Sequence, residues 1–291
     1  MDLHTFQIFL NAAELGSFSQ AGEKLFLTQP AISKRIAALE GELDARLFDR
    51  IGRRVQLTEA GRELLPRARR LLEEMSDIRR SIGNLSGRVS GSLIMGTSHH
   101  IGLHRLPPVL KAFTRRFPEV ILDIRFLDSE SACRAVERGT LELGVVTLPP
   151  QSLPHLEIRP LWDDPLCFAV GRDHPLAGAP SVSLEALLAY PAVLPAPTTY
   201  TREVLAQALA ERGLALRVGM TTNYLETLKM LAVTGLGWAL LPATMLDREL
   251  VEVSFSGLKL SRRLGIVTHG KRTLSNAARA MIESCEAHAG A

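Results

Sequence analysis

Residues 17–43 read SFSQAGEKLFLTQPAISKRIAALEGEL, and they decide the fold because two helical patterns meet in them at a Leu-Thr-Gln-Pro. Upstream, Phe6, Phe9, Leu10 and Ala13 recur at helical spacing, and Gly16 supplies a stop where left-handed backbone carries no strain. Ser17 can cap the next helix, which gathers Phe18, Ala21 and Leu25 on one face, with Ala21 small enough for a close helix crossing. Leu27 marks the turn. Thr28 then offers an N-cap hydroxyl and Pro30 falls in the first turn, where its missing N–H costs nothing, so a third helix starts sharply at Gln29. Ile32, Ile36, Leu39 and Leu43 bury one side of that helix and leave Gln29, Ser33, Lys34 and Arg35 for solvent or a partner.

Two helices joined steeply by a tight turn, the second opening on polar residues that can reach base edges, form the helix-turn-helix pattern. Gln29 and Ser33 can exchange hydrogen bonds with bases, while Lys34 and Arg35 can meet phosphate or guanine. An ordinary helical hairpin with a solvated polar face fits the same residues, so the neighbouring sequence matters. After Leu47-Phe48, the segment DRIGRRVQLTEAG reads as a strand, a Gly52 turn rimmed by arginines and a return strand over Val55 to Leu57. Arg46, Arg50, Arg53 and Arg54 face only Asp49 there, so the net charge of +3 is concentrated where a wing could lie along a phosphate backbone.

The sequence resembles the LysR-type transcriptional regulators. FQIFLNAAELGSFSQAGEKLFLTQPAISKRIAALEGELDARLFDR, then RRVQLTEAG, then a long charged helix carry the resemblance densely over about the first 90 residues and more weakly beyond. It implies a winged helix-turn-helix in which Thr28, Gln29, Pro30, Ser33, Lys34 and Arg35 head the recognition helix and Arg53 and Arg54 sit in the wing. From Thr58 onward, Leu57, Gly61, Leu64, Ala68, Leu71, Met75, Ile78, Ile82 and Leu85 step by alternating fours and threes, the repeat of a coiled coil. The stripe could pack on its own domain, but the rest of the helix is charged, and a protruding apolar stripe needs a partner. The resemblance implies that this helix is a dimer interface, here through Leu64, Leu71, Met75, Ile78 and Ile82, with dimers commonly pairing into tetramers.

Beyond Gly83 to Gly91, a glycine-bearing hinge, the pattern changes to alternating strands and helices: Ser92–Met95, Leu106–Phe117, Val120–Phe126, Ser131–Arg138, Leu143–Val146, then a second unit opening with a strand at Leu166–Val170. Such alternation predicts a mostly parallel sheet with ligands at strand C-termini and helix N-termini. The expected architecture is α/β: a winged helix-turn-helix (1–58), a linker helix and hinge (59–91), and an effector-binding domain (92–291). The resemblance implies that the last is periplasmic-binding-protein-like, with lobe I over about 92–161 and 269–291, lobe II over about 162–268, and crossovers near Leu161 to Asp163 and Val267 to Gly270.

For the effector, Gly96-Thr97-Ser98-His99-His100 follows a strand and precedes a helix, and Thr199-Tyr200-Thr201 heads the helix containing Arg202. Asp128 and Ser129, Thr147, and Thr222-Asn223 are further candidates. The expected set is Thr97, Ser98, His99, His100, Ser129, Thr147, Thr199, Tyr200, Thr201 and Asn223, facing a small anionic metabolite. By family position Ser98, His99, Thr199, Tyr200 and Thr201 lead it.

Other classes are disfavoured. His100 and His104 stand four apart, as metal ligands do, but no Cys or carboxylate lies at a matching spacing, so no metal or cofactor is expected. No Walker-type loop, GxSxG elbow, HExxH or convincing carboxylate pair is present, which argues against an enzyme. Cys133, Cys167 and Cys285 are too few and dispersed for a disulfide framework; a redox-sensing regulator using Cys133 and Cys167 is the alternative reading. No run reaches the roughly 18 to 20 apolar residues that cross a bilayer, so a cytosolic protein without membrane contact is expected. Its partners would be double-stranded DNA, the effector, a second copy and, as a candidate, RNA polymerase.

Overall fold

The structure, a computed structural model, describes residues 1–51, 54–179, 182–255 and 257–290. Backbone contacts divide the chain into two compact units, Met1–Ser86 and Gly87–Ala291.

The first unit opens with α1 (Leu3–Leu15), α2 (Phe18–Leu25) and α3 (Gln29–Leu43). Local chemistry fixes their ends. Asp2 Oδ1 accepts from Thr5 N at 2.7 Å, Ser17 Oγ from Gln20 N at 3.3 Å and Thr28 Oγ1 from Ala31 N at 3.4 Å, so each helix has an N-cap side chain. Gly16 closes α1 in left-handed backbone. The helices bury Phe9, Phe18, Ile32, Ile36 and Leu39, and Phe48 meets Phe9 and Phe18 with ring centroids 5.4 and 5.3 Å apart. Glu40 Oε1 accepts from Leu47 N and Phe48 N at 2.7 and 3.2 Å, tying α3 to β1 (Phe48–Ile51), which pairs antiparallel with β2 (Arg54–Leu57). Gly52 and Arg53, expected at the wing tip, lie outside the described residues, and of Arg54 only the backbone is described.

Helix α4 (Glu59–Asn84) continues through Pro66 and accounts for most of the expected linker. Its apolar stripe divides between two environments. Ala68 is buried, and Leu64, Leu65 and Leu72 pack against the core of the first unit. Leu64, expected to face a second copy, therefore has its partner at home, because α4 lies along α1 at that level. Leu71, Ile78 and Ile82 are exposed, Ile82 by 64%, and Met75 is half-buried.

The second unit begins with β3 (Gly91–Thr97), α5 (His99–His104), α6 (Leu106–Arg116), β4 (Val120–Phe126), α7 (Ser129–Glu137) and β5 (Leu143–Thr147). Then come β6 (Leu156–Gly171), α8 (Leu184–Leu188), β7 (Ala192–Leu194), α9 (Tyr200–Ala210), β8 (Val218–Thr221) and α10 (Leu225–Val233). The chain closes with β9 (Trp238–Pro242), a 3-10 turn at Ala243–Met245, β10 (Leu250–Val253), β11 (Leu260–His269) and α11 (Asn276–Ala287). Strands run in the order β4-β3-β5-β11-β6-β9-β7-β8, with β10 beside β6. The β3–β4, β3–β5, β7–β8 and β7–β9 pairs are parallel, as βαβ connections require.

Two long antiparallel strands, β6 and β11, join the lobes. In this stretch the sequence pattern predicts a strand only over Leu166–Val170, and the structure extends β6 back to Leu156 through Pro160 and Pro165. Pro160 is tolerated because the ladder shifts register beside it, at Leu264/Gly265. Strand β11 pairs with β5 from Leu264 to Thr268 and with β6 from Leu260 to His269. Strand β10 had no counterpart in the sequence reading. The lobe I core gathers Leu93, Met95, Phe113, Ile266 and Met281, and the lobe II core gathers Phe168, Leu187, Leu205, Trp238 and Leu240.

Candidate functional site

In the first unit, α3 presents its N-terminal turn outward. Thr28, Gln29, Pro30, Lys34 and Arg35 are exposed and Ser33 is half-buried. Gln29 and Ser33 stand one helical turn apart and so share a face. Arg35 Nη1 is 3.5 Å from Asp2 Oδ2, an exposed pairing that salt screens and a phosphate can replace. Phe26, in left-handed backbone at the end of α2, is almost fully exposed beside this turn.

In the second unit, a cavity of about 60 Å³ lies between the lobes. Eight of the expected effector residues line it: Ser98, His99, His100, Ser129, Thr147, Thr199, Thr201 and Asn223. Thr97 and Tyr200 do not. Thr97 is buried with its hydroxyl donating to the Val145 carbonyl at 2.9 Å, and the Tyr200 ring packs on the cluster of Ala132, Cys133 and Val136. Several hydroxyls already serve the fold: Ser98 Oγ accepts from Ile101 N at 3.4 Å, Ser129 Oγ from Thr147 N at 3.0 Å, and Thr199 Oγ1 from Arg202 N at 3.3 Å.

The cleft also contains charged residues absent from the expected set. Glu130, on lobe I helix α7, accepts from Tyr200 N at 2.5 Å, so a carboxylate sits on the N-terminus of lobe II helix α9. Burial raises the Glu130 pKa against that hydrogen bond. Asp128 Oδ2 accepts from Asn223 Nδ2 at 3.1 Å, while Asn223 Oδ1 accepts from Ala196 N at 2.9 Å. His99 sits between Phe126 of lobe I, to which its ring is tilted, and Tyr224 of lobe II, which it meets edge-on, with centroids 5.1 and 4.8 Å away. On the floor, Arg262 donates from Nε to Asp164 Oδ2 at 2.8 Å and from Nη1 to Thr201 Oγ1 at 2.7 Å. Burial, followed by the charge of Arg262, lowers the His100 pKa to about 4, so its imidazole is neutral.

Glu130 and Arg262 escaped the sequence reading for identifiable reasons. The α7 helix starts at Ser129, two residues before the expected Ser131, and Arg262 lies on a stretch of β11 not read as strand. Asp128-Ser129-Glu130 is a helix-opening triplet, so the signal for the first is local in the sequence. Nothing local marks the second.

The three cysteines are buried. Burial pushes their pKa values up to about 11 for Cys133, about 12 for Cys167 and about 12 for Cys285, which favours the protonated thiol at neutral pH.

A helix-turn-helix with a basic wing, a long helix and a two-lobed α/β unit with a polar interlobe cleft define a DNA-binding regulator with an effector-binding domain. Comparison with known proteins narrows the class. The model for the bacterial regulatory helix-turn-helix protein of the lysR family matches residues 3–62, and that for the LysR substrate binding domain matches residues 86–290. An uncharacterized HTH-type transcriptional regulator of Azotobacter vinelandii is 66% identical over 108 residues, 37% of this chain and 75% of that protein. A probable RuBisCO transcriptional regulator of Cyanidioschyzon merolae is 30% identical over 286 residues, 95% of this chain and 94% of its own. The structure of full-length CbnR complexed with its target DNA shares the fold at a TM-score of 0.63 and 21% identity, covering 99% of this chain and all of that one. The chain belongs to the LysR family: it is a transcriptional regulator and not an enzyme.

Proposed function

We propose that the protein acts as a homodimer or a pair of dimers that reads DNA through α3 and the wing, and that a small anionic metabolite entering the interlobe cleft changes how it holds that DNA. The observation that carries the effector half is Glu130. Its carboxylate bridges the lobes by occupying the start of α9, the position where backbone N–H groups and the helix dipole favour an anion. An effector carboxylate would compete for the same N–H groups while its hydroxyls meet Ser98, Thr199 and Asn223. A ligand can shift the lobes only by binding one arrangement better than the other, and exchange of an internal carboxylate for an external one supplies that difference.

In this reading residues 1–58 bind DNA, 59–91 link and dimerise, and 92–291 sense the effector. Thr28, Gln29, Pro30, Ser33, Lys34, Arg35, Arg53 and Arg54 meet DNA. RNA polymerase is a candidate partner once the complex is on a promoter, and action on chromosomal DNA places the protein in the cytoplasm. The buried, high-pKa thiols weigh against cysteine-based sensing.

The direct experiment is binding to the DNA upstream of the protein's own coding region, against unrelated DNA, over a salt series. Substituting Arg53 or Arg54 with alanine should weaken binding to every sequence and lower the salt slope by about 1 per lost phosphate contact. Gln29→Ala should instead relax sequence preference, by about 1–3 kcal/mol at the affected base pair. An unchanged salt slope for the arginine variants would remove the wing from the interface.

The exposed lower half of the α4 stripe gives a separate test. With Ile78→Asp and Ile82→Asp together, the assembly should fall to a single chain of 31.9 kDa in sedimentation at micromolar concentration. Retention of the wild-type mass would place the self-association surface elsewhere.

A further inference from the structure

Among the described residues, one group of histidine and carboxylate ligand atoms gathers within 4.8 Å: His100, His104 and Glu226. The two histidines are one turn apart on α5 of lobe I, with ring centroids 4.7 Å from each other. Glu226 comes from the first turn of α10 in lobe II, a carboxylate that no sequence spacing connects to the pair. Its Oε1 is 3.2 Å from His104 Nε2 and 3.7 Å from His100 Nδ1. The second distance exceeds a hydrogen bond, and His100 Nδ1 is a buried polar atom with no hydrogen-bond partner, on a side chain 96% removed from solvent.

We propose that His100, His104 and Glu226 bind a divalent transition ion of the Zn²⁺ class, which joins α5 of lobe I to α10 of lobe II. Metal–ligand bonds of about 2.0–2.1 Å set neighbouring ligand atoms of a tetrahedral site about 3.3 Å apart, near the 3.2 and 3.7 Å of the two His–Glu pairs, and a group held within 4.8 Å needs only small side-chain rotations to close on an ion. The ion gives the orphaned, buried His100 Nδ1 a partner. Two imidazoles and one carboxylate select Zn²⁺, Co²⁺ or Ni²⁺ over Mg²⁺ and Ca²⁺, whose preferred ligands are oxygens. Three protein ligands leave a fourth position for water or an incoming ligand.

Access exists on the solvent side. A cavity of about 440 Å³ is lined by His104, Arg105, Glu226, Lys229 and Asp247. The nearby cations are already engaged: Lys229 Nζ is 2.6 Å from Asp247 Oδ2, Arg262 Nε is 2.8 Å from Asp164 Oδ2, and Arg105 Nη2 approaches Asp164 Oδ1 at 3.9 Å. The site does not depend on the identity of the effector or the operator, so its test needs neither.

The experiment uses the full chain, stripped with chelator and titrated with Zn²⁺ against a chromophoric competitor, and separately with Co²⁺ while visible absorption is recorded. Expected are one tight ion per chain, an intense Co²⁺ spectrum of the four-coordinate type, and a loss of affinity of about tenfold or more in both His104→Ala and Glu226→Gln. His269→Ala, altering the separate stacked pair with His155, should leave the tight site intact. The Co²⁺ spectrum of the unaltered protein keeps the test independent of whether the variants fold. Absence of that spectrum, equal binding of Mg²⁺, or Zn²⁺ affinity unmoved by both substitutions would overturn the assignment.

Discussion

Asp164→Ala is expected to destabilise the second unit by about 3–5 kcal/mol, the range found when one partner of a buried ion pair is removed. Asp164 is 1% exposed on β6 and Arg262 is 8% exposed on β11, and they face each other across the strands that connect the lobes. Without the carboxylate, the Arg262 guanidinium stays buried with Thr201 Oγ1 as its remaining close acceptor. That hydroxyl cannot balance a full charge in a low-dielectric site. Trp162 and Trp238 are the two tryptophans of the chain and both belong to the second unit, so intrinsic fluorescence during urea unfolding reports this unit alone. The double change Asp164→Leu with Arg262→Met should recover most of the loss, because it removes the charge along with its partner. A loss below about 1 kcal/mol for Asp164→Ala would mean that water or another carboxylate reaches the guanidinium.

What the sequence makes legible, and what it leaves hidden, follows from how far apart the interacting groups lie along the chain. The α1–α2–α3 boundaries are visible because Ser17, Thr28, Gly16 and Pro30 act within one helical turn of themselves. Hydroxyl-rich helix starts are local too, which is why Ser98, Thr199 and Thr201 were found beside the cleft. The groups that bind the lobes together are of another kind. Arg262 meets Asp164 across 98 residues, Glu130 meets Tyr200 across 70, and His104 meets Glu226 across 122. Each half of such a pair looks like an ordinary surface charge until the fold brings them together. Helical periodicity has a related limit: it identifies the apolar face of α4 but not its partner, and the structure divides that face between the unit's own core at Leu64 and open surface at Ile78 and Ile82.

The joint between recognition helix, wing and α4 offers the sharpest separation of the two units. Gly61→Ala is expected to cost the first unit about 3 kcal/mol, at the upper end of what overpacking of a filled site exacts. A Cβ at Gly61 would stand 2.2 Å from the Leu47 carbonyl oxygen and 2.8 Å from Leu57 Cδ2. The first of these is backbone, held in place because the same oxygen accepts from Thr58 N at 3.0 Å. Thr58 Oγ1 completes the joint, donating to the Arg46 carbonyl at 2.6 Å and accepting from Gly61 N at 3.0 Å. Relief of the clash must therefore move α4 away from the segment between α3 and the wing, disturbing the placement of the two elements proposed to contact DNA. Gly41, inside α3 with no atom within 4 Å of its added Cβ, is the counterpart: Gly41→Ala should stabilise by about 0.5–1 kcal/mol through helix propensity alone. The expected pattern is loss of operator binding and a helical melting transition at lower temperature in Gly61→Ala, with the tryptophan-reported unfolding of the second unit unchanged. Operator binding at wild-type strength in Gly61→Ala would show that α4 can shift without carrying the recognition helix with it, and the coupling across Leu47 would have to be abandoned.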